Sequence, residues 1–233
     1  MKYLYLLLNL GSISIPFLYS FHPKLKFYKF WKALALAMLI TMLIFIPWDV
    51  IFTKNGFWGF NDDYFIGLKF LSLPLEEWLF FICIPYACVF THYALLHYFP
   101  NMKVSKATAK WLSILLSLLL IGILVFNYNK WYTLINYAFA IVLIQIVLKA
   151  NSKLLQHYYL TFLVMLIPFF IVNGILTGSF IQDEVVWYNN TQNLGIRLFT
   201  IPVEDVIYAF SLILCNLFLT ELFLKRTSTI SNS

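Results

Sequence analysis

The apolar residues of this sequence fall into seven long runs, separated by short polar or aromatic segments. The runs lie at about 3–21, 31–49, 75–99, 111–128, 131–149, 158–177 and 202–224. A helix that crosses a bilayer needs about 20 consecutive residues that are mostly apolar, and each run approaches or exceeds that length. The pattern therefore predicts an all-α integral membrane protein with seven transmembrane helices.

The positions of Lys and Arg support this helix count and predict an orientation. Of the 16 basic residues, eleven fall in alternate loops: Lys24, Lys26, Lys29, Lys32, Lys103, Lys106, Lys110, Lys149, Lys153, Lys225 and Arg226. Cytoplasmic loops of membrane proteins carry the excess of Lys and Arg. We therefore expect a protein of the cell membrane, with its N-terminus outside and its C-terminus in the cytoplasm.

The composition limits where any chemistry can take place. Apolar residues make up 62% of the 233 positions and charged residues only 11%, against about 45–50% and 25% in soluble domains. Seven spans leave no length for a separate soluble catalytic domain. The net charge of +6 comes from loop residues without a nucleic-acid-binding motif, and the chain has no nucleotide-binding or metal-ligand pattern. We expect no nucleic-acid partner, no metal and no cofactor.

Two acidic motifs recur at corresponding helix starts. The third run opens with Leu73-Pro74-Leu75-Glu76-Glu77, and the seventh opens with Ile201-Pro202-Val203-Glu204-Asp205. This repetition predicts an internal duplication of a three-helix unit. Because two parallel three-helix units in one chain need an odd helix between them, we expect two parallel repeats joined by a linking helix. The expected boundaries are 1–100 for the first repeat, 101–130 for the linking helix, 131–226 for the second repeat and 227–233 for a polar tail.

The four acids Glu76, Glu77, Glu204 and Asp205 are the candidate catalytic residues. A proline followed by acids also makes a favourable helix start, so capping alone accounts for either motif taken singly. Four carboxyl groups at the mouths of apolar helices instead indicate a functional site. Adjacent helix positions differ by about 100° around the axis, so at most one acid of each pair points squarely inward.

Aromatic residues, 20% of the chain, are dense around both acidic pairs. They include Trp48, Trp58, Trp78, Trp187 and Tyr208. One interpretation is an aromatic belt at the membrane interface, and the other is a set of ring faces that stabilises a transient cation.

Asp49 and Asn173 stand at matching helix ends near the acidic pairs. Either side chain could orient a carboxyl group by hydrogen bonding, or simply satisfy backbone groups at the frayed helix end. We count both among the candidate residues that bind the substrate or stabilise the cation.

These motifs together resemble the membrane-integral lycopene cyclases. The first half resembles that family in Trp48-Asp49, in Asn55-Gly56-Phe57-Trp58 and in the segment 73–81. The second half resembles it in the segments 173–177, 186–189 and 201–205, with Arg197 and Tyr208. The resemblance covers nearly the whole chain and is closest to the fused, single-chain form of the family.

The resemblance implies a lycopene β-cyclase, an isomerase that closes the acyclic ψ ends of lycopene into β-ionone rings by proton-initiated, non-redox chemistry. The implied products are γ- and β-carotene, and the implied partners are lycopene and other acyclic carotenoids, the lipid bilayer and carotenoid-pathway enzymes. Acid and base would be one of Glu76 and Glu77 and one of Glu204 and Asp205, without an assignment of which does what. The alternative is a proton-coupled transporter or channel, which can also have internal repeats and membrane carboxyls.

Overall fold

The computed structural model describes residues 1–230, with side chains up to Lys225. This part of the chain holds seven α-helices: α1 (Leu4–Tyr19), α2 (Trp31–Lys54), α3 (Leu75–Tyr98), α4 (Lys106–Asn127), α5 (Trp131–Ala150), α6 (Ser152–Leu176) and α7 (Val203–Ile230). A short 3-10 helix, Phe27–Phe30, precedes α2. Of the expected polar tail, residues 227–230 continue α7, and residues 231–233 lie outside the described residues.

Six of the described helices, α2 to α7, are long and apolar enough to cross a membrane. The protein is therefore a multi-pass membrane protein. Helix α1 is apolar as well but has only 16 residues.

Two helices begin earlier than the apolar pattern predicts. Helix α4 starts at Lys106 because Ser105 caps it, accepting the backbone N–H of Thr108 at 3.0 Å, as an N-cap serine does. Helix α6 starts at Ser152, so only Asn151 separates it from α5. Each first turn contains a lysine and a hydroxyl side chain, and hydropathy alone therefore missed both helix starts.

The two long connections contain short strands that the sequence pattern did not predict. The connection before α3 holds β1 (Trp58–Phe60), β2 (Lys69–Phe70) and β3 (Leu73–Pro74), and the connection before α7 holds β4 (Val186–Tyr188), β5 (Arg197–Leu198) and β6 (Ile201–Pro202). Strands β2 and β3 form one hairpin, and β5 and β6 form another.

Strands β1 and β4 join the two connections as an antiparallel pair with Gly59 opposite Trp187. A Cβ on Gly59 would lie 2.3 Å from Cζ2 of Trp187, so the glycine permits the indole to cross the strand. The two connections therefore lie on one side of the helix bundle.

The two halves of the fold repeat the same helix contacts. Asn9 of α1 donates from Nδ2 to the backbone carbonyl of Glu76 at 2.8 Å, and Asn136 of α5 donates to the backbone carbonyl of Glu204 at 2.7 Å. Helix α1 thus packs against the start of α3 as α5 packs against the start of α7. Helix α4 packs on α5 and α6.

Labelling from outside the cell tests the expected orientation. In a variant with Cys83, Cys88 and Cys215 replaced, single cysteines at Asp62 and Asn190, both exposed, should react equally with a membrane-impermeant thiol reagent added to intact cells. Reaction of both only after the cells are opened would reverse the orientation. Reaction of one alone would contradict the β1–β4 pairing.

Candidate functional site

The four predicted acids are buried at the starts of α3 and α7. Their exposed fractions are 0% for Glu76, 8% for Glu77, 0% for Glu204 and 5% for Asp205. Within each pair the side chains diverge. Glu77 and Asp205 line one cavity of about 510 Å³, whereas Glu76 and Glu204 do not.

Glu76 and Glu204 fasten the preceding connections to the helix starts. Oε1 of Glu76 accepts the backbone N–H of Ile66 at 2.8 Å, and Oε1 of Glu204 accepts the backbone N–H of Leu194 at 2.7 Å. Glu204 also accepts the Thr133 hydroxyl at 2.6 Å. Among the described residues, no donor reaches Oε2 of either glutamate.

The cavity is an apolar chamber with its carboxyl groups near the strands. Its walls come mainly from α1, α3, α6 and α7, and Asp49 of α2, Tyr132 of α5 and residues of β1 and β4 also line it. From the acids it extends along the helices to Ile15, Cys88 and Phe162. Such a chamber excludes water from most of its length and offers proton-transfer groups in one region.

Glu77 is held by a phenol and a second carboxyl group. The Tyr5 hydroxyl of α1 donates to Oε2 of Glu77, and the Asp49 carboxyl of α2 lies beside the Glu77 carboxyl. Asp49 in turn accepts the Trp58 indole N–H at 2.7 Å and the Thr53 hydroxyl at 3.4 Å.

Asp205 is held by three neutral donors. The Tyr132 hydroxyl donates to Oδ1 at 2.6 Å, and Oδ2 accepts Nδ2 of Asn173 at 2.8 Å and the Tyr188 hydroxyl at 3.0 Å. Burial raises the pKa of Tyr188 well above its ordinary value, and the adjacent Asp205 carboxylate raises it further. Tyr188 therefore keeps its proton and remains a donor to Asp205.

Aromatic rings line the cavity between the two carboxyl groups. The Trp58 ring meets that of Tyr132 edge to face at 5.0 Å between centroids, and Tyr132 stacks on Tyr188 at 5.9 Å. The phenol of Tyr208, which also lines the cavity, lies near Asp49, Glu77 and Asp205. Ring faces and edges thus surround the space that a reacting group would occupy.

The predicted binding residues divide into two groups in the structure. Trp58, Tyr208, Asp49 and Asn173 line the cavity. The other three tryptophans lie outside its lining: Trp48 is buried against Phe45 and Tyr208, Trp78 packs on Phe70, and Trp187 crosses Gly59.

Sequence reasoning missed two phenols, Tyr5 and Tyr132, each of which donates to one acid. A signal for them exists, because Tyr5-x-x-x-Asn9 and Tyr132-x-x-x-Asn136 have the same spacing, 127 residues apart. Both members of this motif contact the start of the third helix in their half. Among the described residues, no group of three His, Cys, Asp or Glu side chains is placed to hold a metal ion.

Three curated proteins similar to this chain are named bifunctional lycopene cyclase/phytoene synthase. The chain is 35% identical over 72 residues to one from Pyrenophora tritici-repentis, covering 30% of this chain and 12% of the relative. It is 32% identical over 63 residues to one from Aspergillus niger, covering 25% and 11%. It is 25% identical over 130 residues to one from Aspergillus oryzae, covering 52% and 22%. The matched part is thus at most about a fifth of each relative's length, and no solved structure matches the chain.

A family model covers far more of the chain than any of these relatives. The model described as lycopene cyclase matches residues 2–96 and 129–223. The matched segments contain both acidic pairs, both connections and all or most of each helix except α4. This protein therefore belongs to the lycopene cyclase family.

Proposed function

We propose that this protein closes the ψ ends of lycopene, or of a related acyclic carotenoid, into β-ionone rings within the cell membrane. Family membership supports the reaction class, and the names of the fungal relatives support the substrate. The observation that carries the proposal is that Glu77 and Asp205, from opposite halves of the chain, line one apolar cavity.

The proposed reaction needs one acid, one base and a dry space. A proton adds to the terminal double bond of the ψ end and leaves a tertiary cation, which the neighbouring double bond attacks to close the ring. Loss of a ring proton then forms the β-ring double bond, so substrate and product are isomers. No electrons are gained or lost overall, and the proton taken up is matched by the proton released.

Glu77 is the proposed proton donor, with Asp49 as a positioning residue. Two ionised carboxyl groups side by side in an apolar site repel each other, so the adjacent carboxyls of Glu77 and Asp49 favour a state in which one of them keeps a proton. Oδ2 of Asp49 has no hydrogen-bond partner among the described residues, so it can carry this proton without losing a bond. The pair therefore holds a proton next to the cavity, where it can be transferred to an alkene carbon.

Asp205 is the proposed base. Both of its oxygens accept hydrogen bonds from neutral donors, Tyr132, Tyr188 and Asn173, and a buried carboxylate needs such partners. Its counterpart Glu77 has one phenol and one carboxyl in the corresponding places. We therefore assign the donated proton to the Glu77 side of the cavity and the accepting carboxylate to the Asp205 side.

The rings of Trp58, Tyr132, Tyr188 and Tyr208 are proposed to stabilise the cation. An aromatic face near a cation contributes about 0.5–2 kcal/mol, and this attraction appears only after protonation. It therefore lowers the barrier instead of merely tightening substrate binding.

The membrane arrangement is part of the same proposal. We infer that α1 forms a seventh span, that helices α1–α3 and α5–α7 are parallel repeats joined by α4, and that the acids lie near the outer surface. The shared contacts of Asn9 and Asn136 support the repeats. No observation favours the alternative of a proton-coupled transporter or channel.

Substitution of the cavity acids should stop ring formation. Glu77→Gln and Asp205→Asn should each lower the initial rate by about 100-fold or more, because general acid or base catalysis contributes about 10²–10⁴-fold. The measurement is chromatographic separation of acyclic, one-ringed and two-ringed carotenoids from lycopene-producing cells.

Glu76→Gln is the matched control for these two variants. Its amide oxygen can still accept the Ile66 N–H, and its new NH₂ takes the place of an oxygen that has no donor. It should keep most of the activity. Loss of activity in Glu76→Gln together with full activity in Glu77→Gln would reverse the assignment within the pair.

Two single variants test the roles of acid and base separately. In each, Asp49 or Asn173 takes the side chain of its counterpart in the other half. Asp49→Asn should lower kcat because the amide can donate to Glu77 and favour its ionised form, and Asn173→Asp should lower kcat because a second carboxyl favours protonation of Asp205. The pH dependence of kcat should shift in opposite directions in the two variants, down for Asp49→Asn and up for Asn173→Asp. Shifts in the same direction, or unshifted profiles, would contradict the assigned roles.

A further inference from the structure

The cavity reaches the outer surface of the bundle between α1 and α6. Leu7 and Ile15 of α1 line the cavity although 62% and 65% of their surfaces are exposed, and Pro168 of α6 lines it and is exposed as well. These residues lie within the apolar helices, and in a membrane their outer surfaces contact lipid chains. The chamber therefore has a side opening toward the lipid.

The corresponding space in the other half lies between α5 and α2, and rings fill it. Tyr5 and Asn9 correspond to Tyr132 and Asn136, 127 residues later, so Ser12 of α1 corresponds to Phe139 of α5. The Phe139 ring lies 5.2 Å from that of Phe45, edge to face. It also lies 6.4 Å from that of Trp48.

Helices α2 and α6, which face α5 and α1 across these two spaces, also differ in side-chain size. Asp49 and Thr53 of α2 correspond to Asn173 and Thr177 of α6, 124 residues later, so Trp48 corresponds to Val172. The indole of Trp48 helps to fill the space between α2 and α5, whereas the smaller side chain of Val172 stands at the corresponding position between α1 and α6. On the α1 wall, a Cβ added to Gly11 would have no atom within 4 Å.

We propose that the gap between α1 and α6 is the port through which one end of a linear polyene enters the cavity from the lipid. Gly11, Ser12 and Val172 keep this port open, and Phe139 with Trp48 closes its counterpart. The inference rests on the proposed cyclase function. It adds that substrate enters the cavity between α1 and α6 and that entry depends on the small side chain of Ser12.

The port also limits how a two-ended substrate is handled. Lycopene is about as long as the hydrocarbon core of a bilayer, about 30 Å, whereas the part of α3 that lines the cavity, from Glu77 to Thr91, is about 21 Å long at about 1.5 Å per residue. One end enters while the rest of the chain stays in the port and the lipid. The second end must enter after the first has left.

Placing a ring in the port tests the inference. Ser12→Phe copies the residue of the closed side and should lower kcat/KM for lycopene in proteoliposomes by about tenfold or more, chiefly through KM, because the acids are untouched. Leu10→Phe is the matched control, since Leu10 is 50% exposed on the same helix and does not line the cavity. It should match the unmodified protein.

The outcomes distinguish failure of the port from failure of the proposed function. If the unmodified protein forms rings and Ser12→Phe is as active as Leu10→Phe, the port lies elsewhere. If the unmodified protein forms no ring from any acyclic carotenoid, the proposed function itself fails. If Ser12→Phe is not recovered in membranes, Gly11→Leu, which places its side chain in open space, makes the same test with the same expected loss.

Discussion

The constraint on which the structure depends is that carboxyl groups buried in an apolar helix bundle need hydrogen-bond partners. A buried polar group without one costs about 1–3 kcal/mol, and more if it is charged. Glu76 and Glu204 meet this need by accepting backbone N–H groups of the connections, which fixes the path of each connection into its helix. Glu77 and Asp205 meet it with phenols of α1 and α5, which ties those helices to the starts of α3 and α7.

The same constraint brings the two halves together. Strand β1 carries Trp58, which donates to Asp49, and strand β4 carries Tyr188, which donates to Asp205. Because β1 pairs with β4, the side chains that donate to Asp49 and to Asp205 are attached to one small sheet. A site that neither half could complete alone then forms where the halves meet. Divergence at corresponding positions, such as Asp49 and Asn173, gives its two acids different partners.

Much of this site could be predicted from the sequence, and the rest depended on contacts distant along the chain. The Pro-x-Glu-acid motifs located both helix starts because a proline and acidic residues favour a helix start through local backbone geometry and the helix dipole. Which acid of a pair faces the cavity depends on Tyr5 and Tyr132, which lie more than 70 residues from the acids they contact. The three-residue strands β1 and β4 are too short to produce a pattern. Composition likewise could not separate Trp58, which lines the cavity, from Trp78 and Trp187, which do not.

The central claim is that one cavity presents Glu77 and Asp205 to the same end of a polyene. The most direct test is a cryo-electron microscopy structure of the Glu77→Gln variant reconstituted with lycopene, in which substrate should bind without reacting. We expect one end of the polyene between positions 77 and 205, with its terminal double bond within about 4.5 Å, an ordinary contact distance, of the side chain at 77. A polyene bound between α2 and α5, or with its end at Glu76 or Glu204, would contradict the account.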